Sequence, residues 1–541
     1  MATAEVESVQ PVPSHVRCVP GSVNIKPAKF PSPTRDIEDL DPSKVASNLV
    51  GNFNRALDKK DYSAIANLFV EDGYWRGHLA LSWGWFRLRS MDVDAGMAVR
   101  SPKIITVDAS GSVSSIQFFI RVTTVLGTGV GLVQLVEQGG QWKIFTLYTR
   151  LEELREHEEA VNHRRTKGAE RGGKPGRKYW AEKRVADADF KAGNEPAVLV
   201  IGAGQAGLTV AARLRMLGVD TFVIDQNERV GDNWRKHYHQ LVLHDPVYSF
   251  EPYAALLELN VWTKTELVYT KWDEEKKIWT VIVNRKREDG MSDIRTFHPR
   301  HLIQATGHSG KKNQPSMKGI ENFKGDRLCH SSEFTGAREN SQGKKVIVVG
   351  SCNSVHDIAQ DFLEKGYEIT IVQRIYSEDG PPVDDADILP HGLPTAQAEC
   401  DKEILDGLDR AGFKVDRGPD GAGLFFKYFQ RGGGYYIDVG PSQLIADGKI
   451  KAKQGQEIHE VLPHGLWFQG GTELGANEMV FATGYQNMRT QTRLMFGDEV
   501  ADRVGDGFGF GGNLAICRYY SKLLPLQIKG LEEGLFQDDE I

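Results

Sequence analysis

Residues 197–225 read AVLVIGAGQAGLTVAARLRMLGVDTFVID, an apolar run followed by closely spaced glycines and a helical pattern. Gly202, Gly204 and Gly207 have the spacing GxGxxG, in which the first glycine bends the chain, the second lets the backbone approach a pyrophosphate, and the third lets a helix pack on a strand. Asp225 ends the next strand, at about the 20-residue separation that brings an acidic group to a ribose hydroxyl. The stretch therefore predicts a strand, turn, helix and strand that bind a dinucleotide at the helix N-terminus.

A second strand, glycine turn and helix are predicted at residues 346–360, VIVVGSCNSVHDIAQ. Gly350 supplies the turn, but Cys352 and Val355 stand where the second and third glycines would be, so we expect poorer backbone approach and poorer helix packing. The following strand ends at Arg374, whose guanidinium suits the 2′-phosphate of NADPH better than the hydroxyl of NADH. An ordinary solvated charge is the alternative for Arg374. Two dinucleotide sites on one chain imply a flavin and a nicotinamide.

The composition is that of a soluble globular protein. The chain has 541 residues, is 40% hydrophobic and 26% charged, and carries a net charge of −7, which gives no electrostatic drive toward nucleic acid or an anionic membrane. It has no apolar run of the roughly 20 residues that a membrane span needs and no secretory signal pattern. Its five cysteines show neither CxxC nor metal-ligand spacing. We expect a cytoplasmic protein that binds no nucleic acid, membrane or metal.

The chain before residue 197 divides into three predicted parts. Residues 1–40 form a flexible N-terminal segment rich in Pro, Ser and Val. Residues 41–155 form a small α+β domain, because helical patterns come first and strand patterns follow. Residues 156–196 form a basic linker without an apolar face, for which a nucleic-acid-binding arm is the alternative.

The predicted α+β domain has a clear local pattern. Asp41 and Pro42 are typical of a helix start, and the apolar face of that helix is formed by Val45, Leu49, Phe53 and Leu57. Strands are predicted at 115–125, 129–137 and 141–149, with a hairpin turn at Gly139 and Gly140. Further along the chain, residues 266–272 and 278–285 predict a second hairpin.

Four further segments carry a resemblance to a known family: ERVGDNWR (228–235), LIQATGHSG (302–310), FKGDRLCHSSEF (323–334) and VFATGYQN (480–487). With the two glycine turns, they resemble the class B flavin-dependent monooxygenases, the flavin-containing monooxygenase family, and more narrowly its YUCCA-like and fungal types. The resemblance covers roughly residues 197–541. The preceding domain is similar to the NTF2-like or SnoaL-like fold.

This resemblance implies an α/β fold class with two Rossmann-like dinucleotide-binding domains, preceded by the small α+β NTF2-like domain. An FAD-binding domain would comprise residues 197–309 and 481–541, and an NADPH-binding domain would be inserted at 310–480. The implied cofactors are FAD and NADPH. The residues implied for FAD are Gly202, Ala203, Gly204, Gly207, Asp225, Asn233 and Trp234. The residues implied for NADPH are Gly350, Ser351, Asn353, Ser354 and Arg374, and those implied for the two crossings between the domains are Thr306, Gly307, Thr483 and Gly484.

The resemblance also implies that the flavin takes hydride from NADPH, forms a C4a-hydroperoxide with O2 and inserts one oxygen atom into a small organic substrate. The protein would position both cofactors and shield that intermediate from water. The sequence offers no persuasive triad, metal site or carboxylate pair, so the catalytic residues are unknown. Candidates are His244, Asp245 and His330, with surface-loop and linker roles as the alternatives. The expected partners are the substrate and O2, and a homodimer stays open.

Three segments are shorter than the family pattern: VYSFEPY at 247–253, residues 374–390 and residues 504–522. Because these segments would cover the active site, the alternative function is a catalytically impaired flavoprotein, either an uncoupled NADPH oxidase or a pseudoenzyme.

Two other functions are weighed against the monooxygenase. A pyridine nucleotide-disulfide reductase has the same two-nucleotide layout, but the absence of CxxC removes its redox centre. In the other alternative the N-terminal domain is the active part, as a cyclase or isomerase, with a pocket formed by Asp72, Tyr74, Trp75 and His78. Aromatic core packing is the simpler role for those residues.

Overall fold

The computed structural model has a mixed α/β fold, in which a unit of helices and one mainly antiparallel sheet precedes two units built on parallel sheets. One strand of each parallel sheet leads into one of the two predicted glycine turns. The structure describes residues 40–78, 88–94, 96, 98–106, 113–165, 175–190, 195–236, 250–287, 289–307, 311–373, 398–417, 434–504 and 514–535.

The N-terminal unit consists of two helices followed by a six-stranded sheet. Its strand order is β1-β6-β5-β4-β2, with β3 paired to β4, and β1 is the strand that runs parallel to its neighbour. The predicted strands and the turn at Gly139 and Gly140 are confirmed, and both glycines have positive φ. The elements are α1 (Pro42–Asp58), α2 (Tyr62–Ala66), β1 (Phe69–His78), β2 (Leu88–Val93), β3 (Lys103–Thr106), β4 (Ser114–Thr124), β5 (Gly127–Gln138) and β6 (Gln141–Leu154).

The core of the N-terminal unit lies between α1 and one face of its sheet. The side chain of Asp41 accepts a hydrogen bond from the backbone N–H of Ser43 at 3.0 Å, which caps α1 as predicted. Phe53 on α1 is fully buried and meets Trp75 edge to face, with ring centroids 6.0 Å apart. The indole N–H of Trp75 donates to Thr149 Oγ1 at 2.8 Å. Trp75 therefore has the core-packing role, with its polar atom satisfied.

The structure departs from the linker prediction at helix α3 (Trp180–Asp189). Trp180 Nε1 donates to Glu258 Oε1 at 2.6 Å, and Trp262 Nε1 donates to the carbonyl of Ala188 at 2.7 Å. Phe190, directly after the helix, is buried against Phe222. Part of the predicted linker is therefore packed onto the first parallel unit. A few aromatic contacts hold this helix in place, although its sequence shows no amphipathic pattern.

The first parallel unit has the strand order β13-β7-β8-β9, with a three-stranded antiparallel sheet inserted before β13. Strands β7 and β8 are buried along their whole length, as expected for parallel strands covered on both faces. The predicted second hairpin is confirmed as β10 and β11. The elements are β7 (Val198–Ile201), α4 (Gln205–Met216), β8 (Thr221–Ile224), α5 (Asp232–Arg235), α6 (Phe250–Leu256), β9 (Asn260–Trp262), β10 (Thr265–Asp273), β11 (Ile278–Lys286), β12 (Ser292–Phe297) and β13 (His301–Gln304).

The second parallel unit has the strand order β14-β21-β15-β16-β17 and carries a small antiparallel sheet of β18, β19 and β20. Its elements are β14 (Arg327–His330), β15 (Lys345–Val349), α7 (Asn353–Glu364), β16 (Glu368–Val372), α8 (Lys402–Arg410), α9 (Pro441–Ala446), β17 (Ile450–Lys453), β18 (Ile458–Leu462), β19 (Gly465–Phe468), β20 (Glu473–Gly475) and β21 (Glu478–Phe481).

Two helices follow β21 and return to the first parallel unit: α10 (Met488–Arg503), which is interrupted at Gly497, and α11 (Leu514–Glu532). On α10, the carbonyl of Met495 accepts a hydrogen bond from Thr270 Oγ1 at 2.7 Å. Helix α11 packs along α4, and its Leu526 and Ile528 belong to the same buried cluster as β7 and α4.

A buried ion pair joins neighbouring strands of the second parallel unit. Glu478, at the start of β21, is fully buried, and its carboxylate accepts hydrogen bonds from Arg327 Nε at 2.7 Å and from the Tyr367 hydroxyl at 2.7 Å. The guanidinium of Arg327 also lies over the ring of Phe334. Removing one partner of such a pair leaves an uncompensated buried charge.

We therefore expect Glu478→Gln to destabilise the folded protein by about 3 kcal/mol, measured as a lower midpoint of thermal or urea unfolding. The matched control is Lys318→Met, which breaks the exposed pair between Lys318 and Glu460 and should cost about 1 kcal/mol or less. Equal shifts for the two variants would contradict a special role for the buried pair.

Candidate functional site

The first glycine turn joins β7 to α4, and two of its glycines are required by the protein's own packing. Gly202 has φ +109°, and a Cβ on it would lie 2.4 Å from the carbonyl oxygen of Ala305. A Cβ on Gly207 would lie 1.9 Å from the carbonyl oxygen of Gly202. Both distances are far below van der Waals contact. These two glycines thus let α4 start directly against the strand ends.

Gly204 is different. It precedes α4 with φ −81°, a conformation open to any residue, and a Cβ on it would meet only Asn233 Nδ2, at 3.7 Å, among the described atoms. The described residues leave open space in front of the helix N-terminus, where N–H groups and the helix dipole favour an anion. A pyrophosphate fits this position, and a side chain at Gly204 would occupy the same space.

Asp225, the predicted ribose residue, lies beside the same turn. Its carboxylate accepts the backbone N–H of Ala203 at 2.7 Å through one oxygen and that of Asn227 at 2.8 Å through the other. Since each carboxylate oxygen can accept more than one hydrogen bond, acceptor capacity remains for a ribose hydroxyl. Asp225 therefore fixes the turn and also suits the role that the sequence predicts for it.

Asn233 and Trp234 lie on the short helix α5, which starts after Gly231 with φ +89°. The buried carboxylate of Asp232 accepts the backbone N–H of Arg229 and pairs with Arg235. Burial acts to raise the pKa of Asp232, but hydrogen bonds from basic side chains and the backbone outweigh it and hold that pKa below its usual range. The charged Asp232 anchors α5, which places the Asn233 amide next to Gly204.

The two predicted crossings lie side by side. The backbone N–H of Asn313 donates to the carbonyl of Gly484 at 2.9 Å, and Lys312 pairs with Tyr485 in an antiparallel bridge. Thr483 Oγ1 donates to the carbonyl of Asn313 at 2.5 Å. The chain segments that enter and leave the second parallel unit are therefore hydrogen-bonded to each other.

The hydroxyl of Thr306, on the first crossing, is held by a short side-chain network. Gln304 Nε2 donates to Thr306 Oγ1 at 3.1 Å, and Thr492 Oγ1 on α10 donates to Gln304 Oε1 at 2.7 Å. Gly307 follows with φ +76°. Sequence reasoning missed Gln304 and Thr492, because nothing in a single sequence connects residues so far apart.

His330 is fully buried at the second crossing. Its Nε2 lies 3.0 Å from the carbonyl of Gly484, which can only accept, so Nε2 carries the proton and Nδ1 accepts the backbone N–H of Ser332. Burial lowers the pKa of His330 below its usual value, which keeps the ring neutral. Both ring nitrogens are occupied, and these contacts favour the linker role over direct chemistry.

The second glycine turn joins β15 to α7. Gly350 has φ +134°, and a Cβ on it would lie 2.6 Å from the carbonyl oxygen of Ala482. Val355 is fully buried, and its Cγ2 would lie 2.9 Å from that Cβ. Cys352 stands at the N-cap position of α7 without a capping hydrogen bond from its side chain. The structure differs here from the expectation of poorer helix packing, because Val355 fills the space between α7 and the sheet that a third glycine would leave.

A segment that we call the strap, residues 434–440, lies over the first turn of α7. The backbone N–H of Ile437 donates to Asn353 Oδ1 at 3.0 Å. The ring of Tyr436 stacks on the ring of His356, with centroids 3.6 Å apart and planes 3° from parallel. Of the residues predicted for NADPH, Asn353 thus bonds to the strap through its oxygen. No described residue bonds to its side-chain NH2 group, which leaves that group for a ligand.

His356 itself was not predicted. Its Nδ1 lies 3.0 Å from the carbonyl of Cys352 and therefore carries the proton. Its Nε2 is buried and has no hydrogen-bond partner among the described protein atoms. Burial lowers the pKa of His356 to about 4. The only sequence signal was a histidine one turn into a predicted helix. That signal does not distinguish a buried, neutral histidine beside the glycine turn from an ordinary helical histidine.

Several predicted residues cannot be placed. His244, Asp245 and Arg374 lie outside the described residues. So do residues 247–249, 374–390 and 505–513 of the three segments that are shorter than the family pattern. Ser351 and Ser354 lie in the second glycine turn and the first turn of α7. None of the helices in the described part of the chain is long and apolar enough to cross a membrane. In the same ranges, no cluster of His, Cys, Asp and Glu side chains could hold a metal ion.

The sequence of the two glycine turns and their surroundings is similar to that of known oxidoreductases. A family model described as pyridine nucleotide-disulphide oxidoreductase matches residues 196–380, which include both glycine turns. The probable indole-3-pyruvate monooxygenase YUCCA10 of Arabidopsis thaliana is 26% identical over 330 residues, 54% of this chain and 82% of the relative. The indole-3-pyruvate monooxygenase YUCCA8 of Oryza sativa subsp. indica is 27% identical over 327 residues, 53% of this chain and 76% of the relative.

The chain is an oxidoreductase. Its relatives are monooxygenases by name, and the alignments span most of their length. Among solved structures, the flavin-containing monooxygenase from Stenotrophomonas maltophilia matches 62% of this chain and 98% of its own, with 16% identity and a TM-score of 0.42. The predicted oxidoreductase and monooxygenase class is confirmed by the family match and by the curated relatives. The range of the family model begins at residue 196, after the N-terminal unit.

The buried histidine beside the second glycine turn makes stability depend on pH. The pKa of His356 in the folded protein lies near 4, below the ordinary value of about 6.5. The unfolded chain therefore binds a proton that the folded protein does not, and stability that is fully present above pH 6.5 is lost as the pH falls toward 4.

We expect the free energy of unfolding to fall by about 2 kcal/mol more between pH 7 and pH 5 in the native chain than in His356→Asn. Asparagine keeps a donor for the Cys352 carbonyl but does not titrate. Urea unfolding at the two pH values measures the difference. Parallel pH dependences for the two proteins would contradict the assignment, because contributions from His330 and the carboxylates are common to both.

Proposed function

We propose that the protein is an FAD- and NADPH-dependent monooxygenase that inserts one oxygen atom into a small organic substrate. FAD binds at the first glycine turn and NADPH at the second, in two Rossmann-like domains. The N-terminal unit is an NTF2-like domain, and the protein acts in the cytoplasm on a diffusible substrate with O2. A homodimer remains a prediction.

The observation that carries the proposal is the contrast among the three glycines of the first turn. Packing demands glycine at positions 202 and 207, whereas the described structure leaves room for a side chain at position 204. A glycine that the fold does not require, at the N-terminus of a 12-residue helix, is explained by a ligand that approaches the backbone closely. The family match and the monooxygenase relatives support a flavin dinucleotide as that ligand.

The chain's own residues bind and orient the cofactors in this proposal. The N-terminus of α4 stabilises the pyrophosphate, Asp225 accepts a ribose hydroxyl, and Asn233 and Trp234 border the flavin. Ser351, Asn353, Ser354 and Arg374 bind NADPH. Reduced flavin supplies the reaction with O2 from which the oxygen atom is inserted. The protein needs no nucleophile, and the neutral, fully bonded His330 is consistent with this requirement.

The N-terminal unit supports the NTF2-like proposal through its two helices packed on one face of a six-stranded sheet. A catalytic pocket in this unit is disfavoured. Asp72 and Tyr74 are exposed, whereas Trp75 is packed against Phe53 on the helical side of the sheet. Asp72, Tyr74 and Trp75 therefore do not form one enclosed pocket, and the side chain of His78 lies outside the described residues.

The first test separates binding from folding. Gly204→Ala should leave the apo protein as stable as the native chain but weaken FAD binding about tenfold or more, because a methyl group would overlap the pyrophosphate. Gly207→Ala is the matched control. It should destabilise the fold itself, since its Cβ would lie 1.9 Å from the Gly202 oxygen. FAD titration of apo protein and thermal unfolding give the two readouts.

A native chain that purifies colourless and shows no flavin absorbance after incubation with excess FAD would overturn the proposal. Native-like FAD affinity in Gly204→Ala would contradict the placement of the pyrophosphate at this turn.

The second test concerns the nicotinamide cofactor. If Arg374 binds the 2′-phosphate, Arg374→Ala should weaken NADPH by about 1.5 to 3 kcal/mol, the range for hydrogen bonds to charged groups, which is roughly a 10- to 150-fold rise in the apparent constant. NADH should be nearly unaffected. Steady-state flavin reduction with each coenzyme measures the effect. Equal losses for both coenzymes would make Arg374 structural.

The third test separates a working oxygenase from an impaired flavoprotein. Since the shortened segments would admit water to the flavin, we expect NADPH oxidation to run largely uncoupled, with hydrogen peroxide exceeding oxygenated product. Peroxide formed per NADPH consumed is measured over amines, thioethers, ketones and 2-oxo acids, with indole-3-pyruvate included because the relatives are named for it. A ratio near zero with any substrate would show that other residues cover the flavin. Peroxide alone with every substrate would favour the impaired flavoprotein.

A further inference from the structure

Helix α11 lies against the N-terminal end of α4, the helix that begins at the first glycine turn. Cys517 on α11 is fully buried and hydrogen-bonded to the side chain of Gln205, the first residue of α4. Burial raises the pKa of Cys517, so the group is a neutral thiol. The position of α11 is thus coupled directly to the first turn of α4, next to Gly204.

The same helix is held from the other side by β6 of the N-terminal unit. Lys522 Nζ forms an ion pair with Glu152 Oε2 at 3.2 Å. The guanidinium of Arg150 lies 4.8 Å from the centroid of the Tyr519 ring and pairs with Glu152 Oε1 at 2.5 Å. Lys522 is five residues beyond Cys517, about 7.5 Å along a helix. The contacts with β6 and with Gln205 therefore act on the same short stretch of α11.

The segment that follows β6 contacts the C-terminal end of α4. Glu159 Oε2 pairs with Arg213 at 2.5 Å, and the backbone N–H of Ala160 donates to the carbonyl of Met216, the last residue of α4, at 2.7 Å. One apolar cluster also runs without a break from the N-terminal unit to α4 and α11, with Leu154, Leu214 and Leu526 among its buried members. The N-terminal unit thus restrains α4 at one end directly and at the other through α11.

We propose that the N-terminal unit is a positioning domain for the flavin site: it fixes α4, and with it the turn that receives the pyrophosphate. This inference rests on the proposed function for the identity of the ligand. A domain that merely travels with the enzyme would be joined through a small polar interface and would move independently. Here a continuous apolar core and ion pairs hold the unit to the helix that binds the cofactor.

The test uses full-length variants that loosen the contact of α11 with β6 without touching the flavin site. Lys522→Met removes the ion pair with Glu152, and Arg150→Met removes the stacking on Tyr519. Each should raise the dissociation constant of FAD about two- to fivefold, since partly buried ion pairs and cation–π contacts have energies of this order. Lys522→Arg keeps the charge and should retain native affinity. The KM for NADPH should not change, because these contacts do not involve the second parallel unit.

Lys318→Met, which breaks a surface pair in the second parallel unit, is the matched control and should leave FAD affinity unchanged. Unchanged FAD affinity in both Lys522→Met and Arg150→Met would overturn the inference. An equal rise in the NADPH constant would also overturn it, since that pattern indicates general destabilisation. Absence of FAD binding in the native chain would instead remove the proposed function.

Hydrogen exchange on the native chain provides an independent measurement that needs no variant. If the N-terminal unit positions the flavin site, FAD should increase the protection of amides in β6 as well as in α4 and α11, because coupling between sites is reciprocal. Protection that stops at α11 and does not reach β6 would overturn the inference.

Discussion

The close approach of α4 to β7 is the constraint on which the candidate site depends. With no side chain on Gly207, the helix backbone rests on the carbonyl of Gly202, and the N-terminus of α4 is fixed at the edge of the parallel sheet. That contact sets the positions of Asp225, which bonds the turn from the next strand, and of Asn233, which faces it from α5. The same helix is the surface on which α11 and the N-terminal unit meet. One pair of glycines thus determines where the candidate dinucleotide site, α11 and the N-terminal unit lie.

Local sequence patterns predicted the parts of the fold that are decided locally. The first glycine turn, the capped start of α1 and the hairpin at Gly139 and Gly140 follow from rules about a few neighbouring residues. The helix at 180–189 has a local cap from Glu182, but it was missed because Trp180 and Trp262 bind it to residues distant in the sequence. A local sequence pattern reflects the conformational preference of one segment considered alone. It does not show which distant residues will contact that segment in the folded protein.

The candidate site divides in the same way. Gly204 and Asp225 could be identified as candidates from their spacing, because the spacing of the motif fixes its local geometry. The stack of His356 on Tyr436 could not, since the two rings come from separate elements and become neighbours only after the second parallel unit has folded. Val355 illustrates a different limit. The spacing marked it as a departure from the motif, yet the valine side chain fills the interface that a glycine would have left open. Physical packing can thus satisfy a motif position in more than one way.

The paired crossings constrain how the two parallel units can move relative to each other. Residues 311–313 and 483–486 are hydrogen-bonded to each other, and His330 adds a bond to Gly484. Two covalent connections that are bonded together resist stretching and sliding far more than they resist bending, because bending leaves the hydrogen bonds between them intact. Bending at the paired crossings is therefore the relative motion of the two parallel units that these hydrogen bonds oppose least. Under the proposed function, a nicotinamide bound to the second unit would change its distance from a flavin bound to the first mainly by this bending.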